Sequence, residues 1–217
     1  MEKILRNGLN NLSKVINMTN VLIIGATGTL GSAVRRTLLN ETEDQLTLFS
    51  RSAGKLAVDA TREKAISGSV TIDADLNQAL QGQDVVFAAL SGDLPDFAEH
   101  IVKAMDRNHV QRLLFITSMG IYGEVPASMG GTLGKVSPVL RPYRQAADII
   151  ESSDLNYTII RPGWFTSGPV EYEVTHKGEK FGGHDVSIAS IADLVKKLVK
   201  DPTLDSRDSV GINTPKK

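Results

Sequence analysis

Runs of apolar residues alternate with helical patterns along most of the chain. Residues 21–24 (VLII) form a continuous apolar run, as expected of a strand buried on both faces. A glycine-rich turn follows, and then Leu30, Val34 and Leu38 recur at one-turn spacing, predicting a helix whose inner face packs on a sheet. Residues 46–49 read as a second strand, and residues 63–70 as a weaker third that precedes a short helical stretch at 76–80. A fourth strand spans 84–90 (DVVFAAL); Phe97, Ile101 and Met105 mark the helix that returns from it, and residues 112–117 (RLLFIT) form a fifth. Residues 120–142 are rich in Gly and Pro, have no clear period, and read as a long loop over the sheet's carboxyl edge. A helix over 143–152 leads into a sixth strand at 157–160, and a last helix opens at Ser190-Ile-Ala-Asp193 in the manner of a capping box and ends before Pro202. Strands that alternate with helices predict an α/β fold on a parallel sheet with right-handed crossovers.

The domain boundaries follow from the same pattern. Residues 1–17 read as an extension and residues 18–217 as one domain. In the extension Leu5, Leu9, Leu12 and Ile16 fall at helical spacing, which allows either an amphipathic helix on a partner surface or a mobile arm. Its apolar pairs are broken by Asn, Lys, Gly and Ser, unlike the core of a signal peptide, so a cytoplasmic setting is expected. At 217 residues and 41% hydrophobic the chain can bury one sizeable core. Its net charge of -1 leaves no basic footprint for nucleic acid or an anionic membrane. The chain has no cysteine, which excludes disulfides, a thiolate nucleophile and a thiolate metal site.

The sharpest chemical signal is Gly25-Ala-Thr27-Gly28-Thr29-Leu30-Gly31, placed between a buried strand and a helix. Gly25 permits the tight turn, Gly28 leaves room for backbone to approach a pyrophosphate, and Gly31 lets the helix pack closely. The helix amino terminus then offers unpaired N–H groups and a favourable dipole to phosphate. Domains that prefer NAD usually place an acidic residue at the end of the second strand. Here that place holds Ser50-Arg51-Ser52, and an arginine suits the 2′-phosphate of NADP.

Together VLIIGATGTLG, GQDVVFAALSGD, RLLFITSMGIYGEVP and PYRQAADIIESSDLNYTIIRPGWF resemble the atypical short-chain dehydrogenase/reductases of the NmrA-like type. The resemblance implies a three-layer, doubly wound Rossmann fold with a mostly parallel sheet, a dinucleotide across the carboxyl ends of the strands, and a small C-terminal substrate lobe from the last third of the chain. It places the end of the fourth strand (Ala88, Ala89, Leu90, Ser91) along the adenosine and nicotinamide ribose. Thr117 and Ser118 fall beside the nicotinamide, and Arg161-Pro162-Gly163-Trp164 close over it. Trp164 and Phe165 are expected either to wall a substrate pocket or simply to pack.

Hydride transfer in the broad superfamily uses a Tyr as general acid, a Lys one helical turn later and a Ser that polarises the carbonyl. None of the four tyrosines has that Lys: Tyr122 is followed at the same spacing by Pro126, Tyr143 by Ala147, Tyr157 by Arg161 and Tyr172 by His176. Ser118 with Tyr143 is the nearest match, Tyr122 the other candidate, and the Tyr157/Arg161 pair reads as structural. The four histidines show no metal-ligand spacing, so no metal site is expected. Two functions fit: an NADP(H)-dependent oxidoreductase acting on a small carbonyl or quinone-like substrate, or a catalytically silent NADP(H) sensor that acts through a protein partner.

Overall fold

The computed structural model describes residues 18–215, so the amino-terminal extension and its leucine stripe lie outside the described residues. Among the described residues ten strands and five α-helices follow one another. They are β1 (Asn20–Ile24), α1 (Thr29–Glu41), β2 (Gln45–Ser50), β3 (Glu63–Ser67), α2 (Asp73–Leu80), β4 (Val85–Ala88), α3 (Leu94–Arg107), β5 (Arg112–Ile116), α4 (Arg141–Glu151), β6 (Asn156–Pro162), β7 (Trp164–Thr166), β8 (Glu173–Thr175), β9 (Asp185–Ser187), α5 (Ile188–Lys200) and β10 (Asp208–Asn213). Eight strands form one sheet in the order β3-β2-β1-β4-β5-β6-β10-β8, parallel except for β8, which runs antiparallel to β10 at the edge. Strands β7 and β9 pair separately and build the small lobe above β6.

Two apolar layers sandwich the sheet. Leu22, Ile24, Val86, Phe115 and Ile159 pack against α2, α3 and α4 on one face. Val21, Ile23, Phe87, Leu114 and Ile160 pack against α1 and α5 on the other. The central strands therefore carry apolar runs, because alternate side chains meet different helical layers. From β1 the chain winds outward through β2 and β3, then returns to lay β4 on the opposite side of β1. That reversal opens a crevice at the carboxyl ends of the strands.

Several boundaries differ from the sequence reading. Helix α4 starts two residues early because Pro142 fits its first turn, where the missing N–H costs nothing. The third strand stops at Ser67. Helix α5 is capped by Ser187, whose hydroxyl accepts the Ser190 N–H at 3.0 Å, so Ser190 lies inside the first turn instead of at the cap. The long loop contains two short 3-10 turns, at Ala127–Met129 and Pro138–Leu140. Strands β7, β8, β9 and β10 had no counterpart in the pattern, since three are only three residues long and β10 (DSVGIN) lacks an apolar run.

Candidate functional site

A cleft of about 550 Å³ lies where β1, β2, β3 and β4 end. Its floor is the turn from β1 into α1. Gly25 has φ +85, a left-handed conformation, and a Cβ there would overlap the Ala89 carbonyl oxygen. The Gly25 and Ala26 N–H groups both donate to the Phe49 carbonyl, at 2.9 and 3.3 Å, which fixes the turn to the end of β2. A Cβ on Gly31 would in turn strike Gly25, so the helix seats directly on the turn. The amino end of α1 has Gly28 at its cap, no side-chain cap and no acidic residue in its first turn. Its first N–H groups have no carbonyl one turn back, so the end carries uncompensated donors and partial positive charge toward the cleft.

Of the residues expected to hold a dinucleotide, the structure brings Gly25, Thr27, Gly28, Ser50, Arg51, Ala89 and Leu90 to this cleft. Thr27 Oγ1 donates to Ser50 Oγ at 3.2 Å and accepts from Ser52 Oγ at 3.5 Å, a hydroxyl cluster beside Arg51. Arg51 is the only charged side chain lining the cleft among the described residues, and no carboxylate lines it. The other expected residues stand apart from the cleft wall. Thr29 is exposed and opens α1. Leu30 is turned into the α1–α5 core, and Ala88 is buried in β4. Thr117 is buried, with its N–H and its hydroxyl both donating to the Ile160 carbonyl, at 2.8 and 3.1 Å. Pro162 accepts the Met119 N–H at 3.1 Å, which ties the end of β6 to the end of β5.

Sequence reasoning missed the far wall of the cleft: Gly68, Ser69, Val70 and Thr71 after β3, with Gly92 and Phe97 opposite. A signal was present in Gly68, a glycine directly after a strand, as at Gly25; a Cβ there would meet the ring of Phe49 and the side chain of Asp75.

The two candidate tyrosines diverge. Tyr143 sits half-buried in the first turn of α4, packed against the core of that face, and among the described residues nothing hydrogen-bonds its hydroxyl. One turn later comes the fully buried Ala147, where a lysine would have stood. The Tyr122 hydroxyl donates to Glu151 Oε1 at 2.7 Å, and the same carboxylate oxygen accepts from Lys177 at 2.7 Å. Burial first, and then that bond to Glu151, push the Tyr122 phenol above its usual range, making it a poorer acid. Glu151 closes α4, eight residues and roughly 12 Å along the helix from Tyr143. The Tyr122 ring lies against the guanidinium groups of Arg144 and Arg161, at 4.6 and 5.3 Å from its centroid. Ser118 follows β5, with its hydroxyl donating to the Met119 carbonyl at 3.2 Å.

Trp164 and Phe165 are not core aromatics: they stand 64% and 47% exposed on β7, with the Trp164 ring stacked on His184 at 6.1 Å between centroids. A second hollow of about 450 Å³ in the lobe is lined by Thr166, Glu171, His184 and Ser187 among others. Arg161, read as structural from its spacing, is buried and paired with Glu124. His176 meets Asp205 and Asp208, with ligand-type atoms within 4.8 Å of one another; carboxylates distant in sequence supply what local spacing did not show. The contact of His176 with Asp208 is a 2.7 Å ion pair beside the start of β10, away from the cleft.

Among the described residues no helix is long and apolar enough to cross a membrane. The family model described as NAD(P)H-binding matches residues 25–202. A Rossmann-fold NAD(P)-binding family protein from Shigella flexneri is 37% identical, over 91% of this chain and 94% of its own, with a TM-score of 0.79. A wide-type short-chain dehydrogenase/reductase from Veillonella parvula, solved in complex with NADP, is 28% identical over 91% of this chain and 95% of its own, with a TM-score of 0.82. The NAD(P)H azoreductase of Xenophilus azovorans is 26% identical over 164 residues, 73% of this chain and 54% of that protein, so the chain spans about half the length of this curated relative. With the glycine turn, the carboxyl-edge cleft and the strand order on the same side, the chain belongs to the NAD(P)H-binding family of Rossmann-fold proteins, among the short-chain dehydrogenase/reductase-like members.

Proposed function

We propose that residues 18–217 form one domain that binds NADP(H) in preference to NAD(H) and serves hydride transfer to a small carbonyl or quinone-like acceptor. The observation that carries the reading is the cleft itself, in which Arg51 is the only charged lining residue and no carboxylate opposes it among the described residues. The phosphates of the cofactor would lie on the Gly25–Gly28 turn and the uncapped end of α1. Arg51, with the hydroxyls of Ser50, Ser52 and Thr27, would receive the 2′-phosphate. Gly68, Ser69 and Val70 would flank the adenine, Ala89 and Leu90 the riboses, and the strand ends at Thr117 and Pro162 the nicotinamide. The bound dinucleotide supplies the hydride. Ser118 is assigned to polarising the acceptor. Tyr143, whose hydroxyl has no partner among the described residues, is assigned as a neutral proton donor. Support from relatives is of the same kind: the Veillonella protein was solved with NADP, and the curated relative is an NAD(P)H azoreductase.

A second reading, a silent sensor acting through a protein partner, is favoured by one feature. The buried Ala147 stands one turn after Tyr143, where the broad superfamily places the lysine that activates the tyrosine. Loss of the reduced-nicotinamide absorbance separates the two, measured with NADPH and with NADH against aldehydes, ketones, quinones and an azo compound. Turnover that favours NADPH and falls about 100-fold in Tyr143→Phe, the scale of a lost general acid, is expected. Tight NADPH binding with no turnover on any acceptor would replace the enzyme by the sensor.

A further inference from the structure

We infer that the buried Glu124–Arg161 ion pair positions the two strand ends assigned to the nicotinamide, locking the turn after β5 against the end of β6. The inference rests on the placement of the nicotinamide proposed above.

Glu124 is 6% exposed and Arg161 is fully buried. The Glu124 carboxylate accepts three bonds: the Gly120 N–H on Oε1 at 2.9 Å, the Tyr122 N–H on Oε2 at 2.9 Å, and Arg161 Nη1 on Oε1 at 2.5 Å. The remaining donors of Arg161 reach outward. Nε donates to Ser209 Oγ at 3.1 Å, and Nη2 donates to the Ser209 carbonyl at 3.0 Å and the Thr175 carbonyl at 3.4 Å. The Glu124 carbonyl also accepts the Phe181 N–H at 3.1 Å. One pair therefore joins the turn after β5 to β6, β8, β10 and the segment that carries Phe181.

Stability alone is a weak reason for such a pair. Removing two charges from water costs about what their attraction returns, and well-packed apolar residues often serve as well. An apolar side chain cannot, however, accept two N–H groups from one turn. Gly120 has φ +89, so this turn is left-handed and needs a specific acceptor to fix its path. Ser118 precedes Gly120 by two residues, and Pro162 follows Arg161 directly. The Met119 N–H to Pro162 carbonyl bond, 3.1 Å, joins the two sides just above the pair. A small shift of the turn would move Ser118 and the Pro162 carbonyl together, and placement at that level is what a bound ring reads. Neither Glu124 nor Arg161 lines the cofactor cleft, so both act through Ser118 and Pro162 as positioning residues.

The test compares NADPH with 2′-phospho-ADP-ribose, which lacks only the nicotinamide, and with ADP-ribose, which lacks the 2′-phosphate as well. The wild-type protein examines the placement first: the emission of the reduced nicotinamide should rise and shift to the blue on binding, and an unchanged emission would sink the proposed placement independently of the pair. In Glu124→Gln the affinities for both ADP-ribose forms are expected to stay within about twofold, while the NADPH emission enhancement is lost and its affinity drops about tenfold, as for a misplaced end. Arg161→Lys, which keeps the charge but not the reach to Ser209 and Thr175, should shift the same readouts in the same direction and carries the test if Glu124→Gln does not fold. Unchanged emission in both variants, or equal weakening of every ligand, would overturn the positioning role, because a merely structural pair moves all ligands or none.

Discussion

In the proposed reading, discrimination between the two nicotinamide dinucleotides rests on a single side chain. Arg51 stands at the end of β2 beside three hydroxyls, and the cleft offers no carboxylate among the described residues to hold a free 2′-hydroxyl. A charge-assisted bond to phosphate contributes about 1.5–3 kcal/mol, with the lower end appropriate to an exposed arginine. Arg51→Ala is therefore expected to weaken NADPH about tenfold while leaving NADH within twofold, as read by titration of nicotinamide fluorescence. Added salt should weaken NADPH more than NADH in the wild-type protein and equally in the variant, since only the former pairing is screened. An unchanged affinity ratio in the variant would remove Arg51 from the specificity argument. Tyr122 illustrates the reverse case: its position just past Ser118 made it a candidate acid, yet its hydroxyl is committed to Glu151, and only the coordinates could reveal that partner from the far end of α4.

Elements were legible in the sequence where burial is two-sided and hidden where it is not. Strands β1, β4, β5 and β6 stand out as apolar runs because both of their faces meet helices. Strands β7 and β8 are partly or wholly exposed, and β10 carries Asp208, Ser209, Gly211 and Asn213, so no run marks them. The cleft divides along the same line: its β1 and β2 walls follow from Gly25–Gly28 and Arg51, whereas the Gly68–Thr71 wall follows a weak strand with little apolar signal. The lobe is tied to the main domain through Asp193 on α5, which accepts from Tyr172, Lys196 and Lys197, while Lys196 also reaches Glu41 on α1. Burial works to raise the Asp193 carboxyl, but the bonds from Lys196, Lys197 and Tyr172 together outweigh it and bring it down to about 2. A carboxyl lowered in the folded state stabilises above its unfolded value, near 3.8, and that stability is lost as pH falls toward 2. Asp193→Asn should therefore lower stability by about 1–2 kcal/mol at neutral pH, a figure reduced for the exposure of Lys197. The deficit relative to wild type should shrink between pH 4 and pH 2 in urea-unfolding series, and a deficit constant down to pH 2 would locate the effect in packing.

At the scale of the molecule, the cleft is where the two halves of the sheet meet. Its walls come from the ends of β1, β2 and β3 on one side of the crossover and from β4 and α3 on the other, with the β1–β4 pairing as the seam. A dinucleotide spanning that seam touches residues brought together only by folding, so it binds the native chain and not the unfolded one. Its free energy then adds directly to stability: about 2.7 kcal/mol at a concentration one hundred times Kd. For a chain of this length each kcal/mol raises Tm by about 2–4 °C, so saturating NADPH should raise it by about 5–10 °C. The eight-stranded sheet is continuous from β3 to β8, and the lobe is pinned to it at Gly163, whose N–H donates to the Ile212 carbonyl at 3.0 Å, and at Asp185, whose carbonyl accepts the Thr214 N–H at 2.7 Å just past β10. Both halves and the lobe should therefore melt together, and the ligand should displace one calorimetric transition without splitting it. A second transition that stays in place as NADPH is added would mean that β7 and β9 unfold independently of the cofactor-binding core, and the acceptor site would then have to be sought on a lobe that moves by itself.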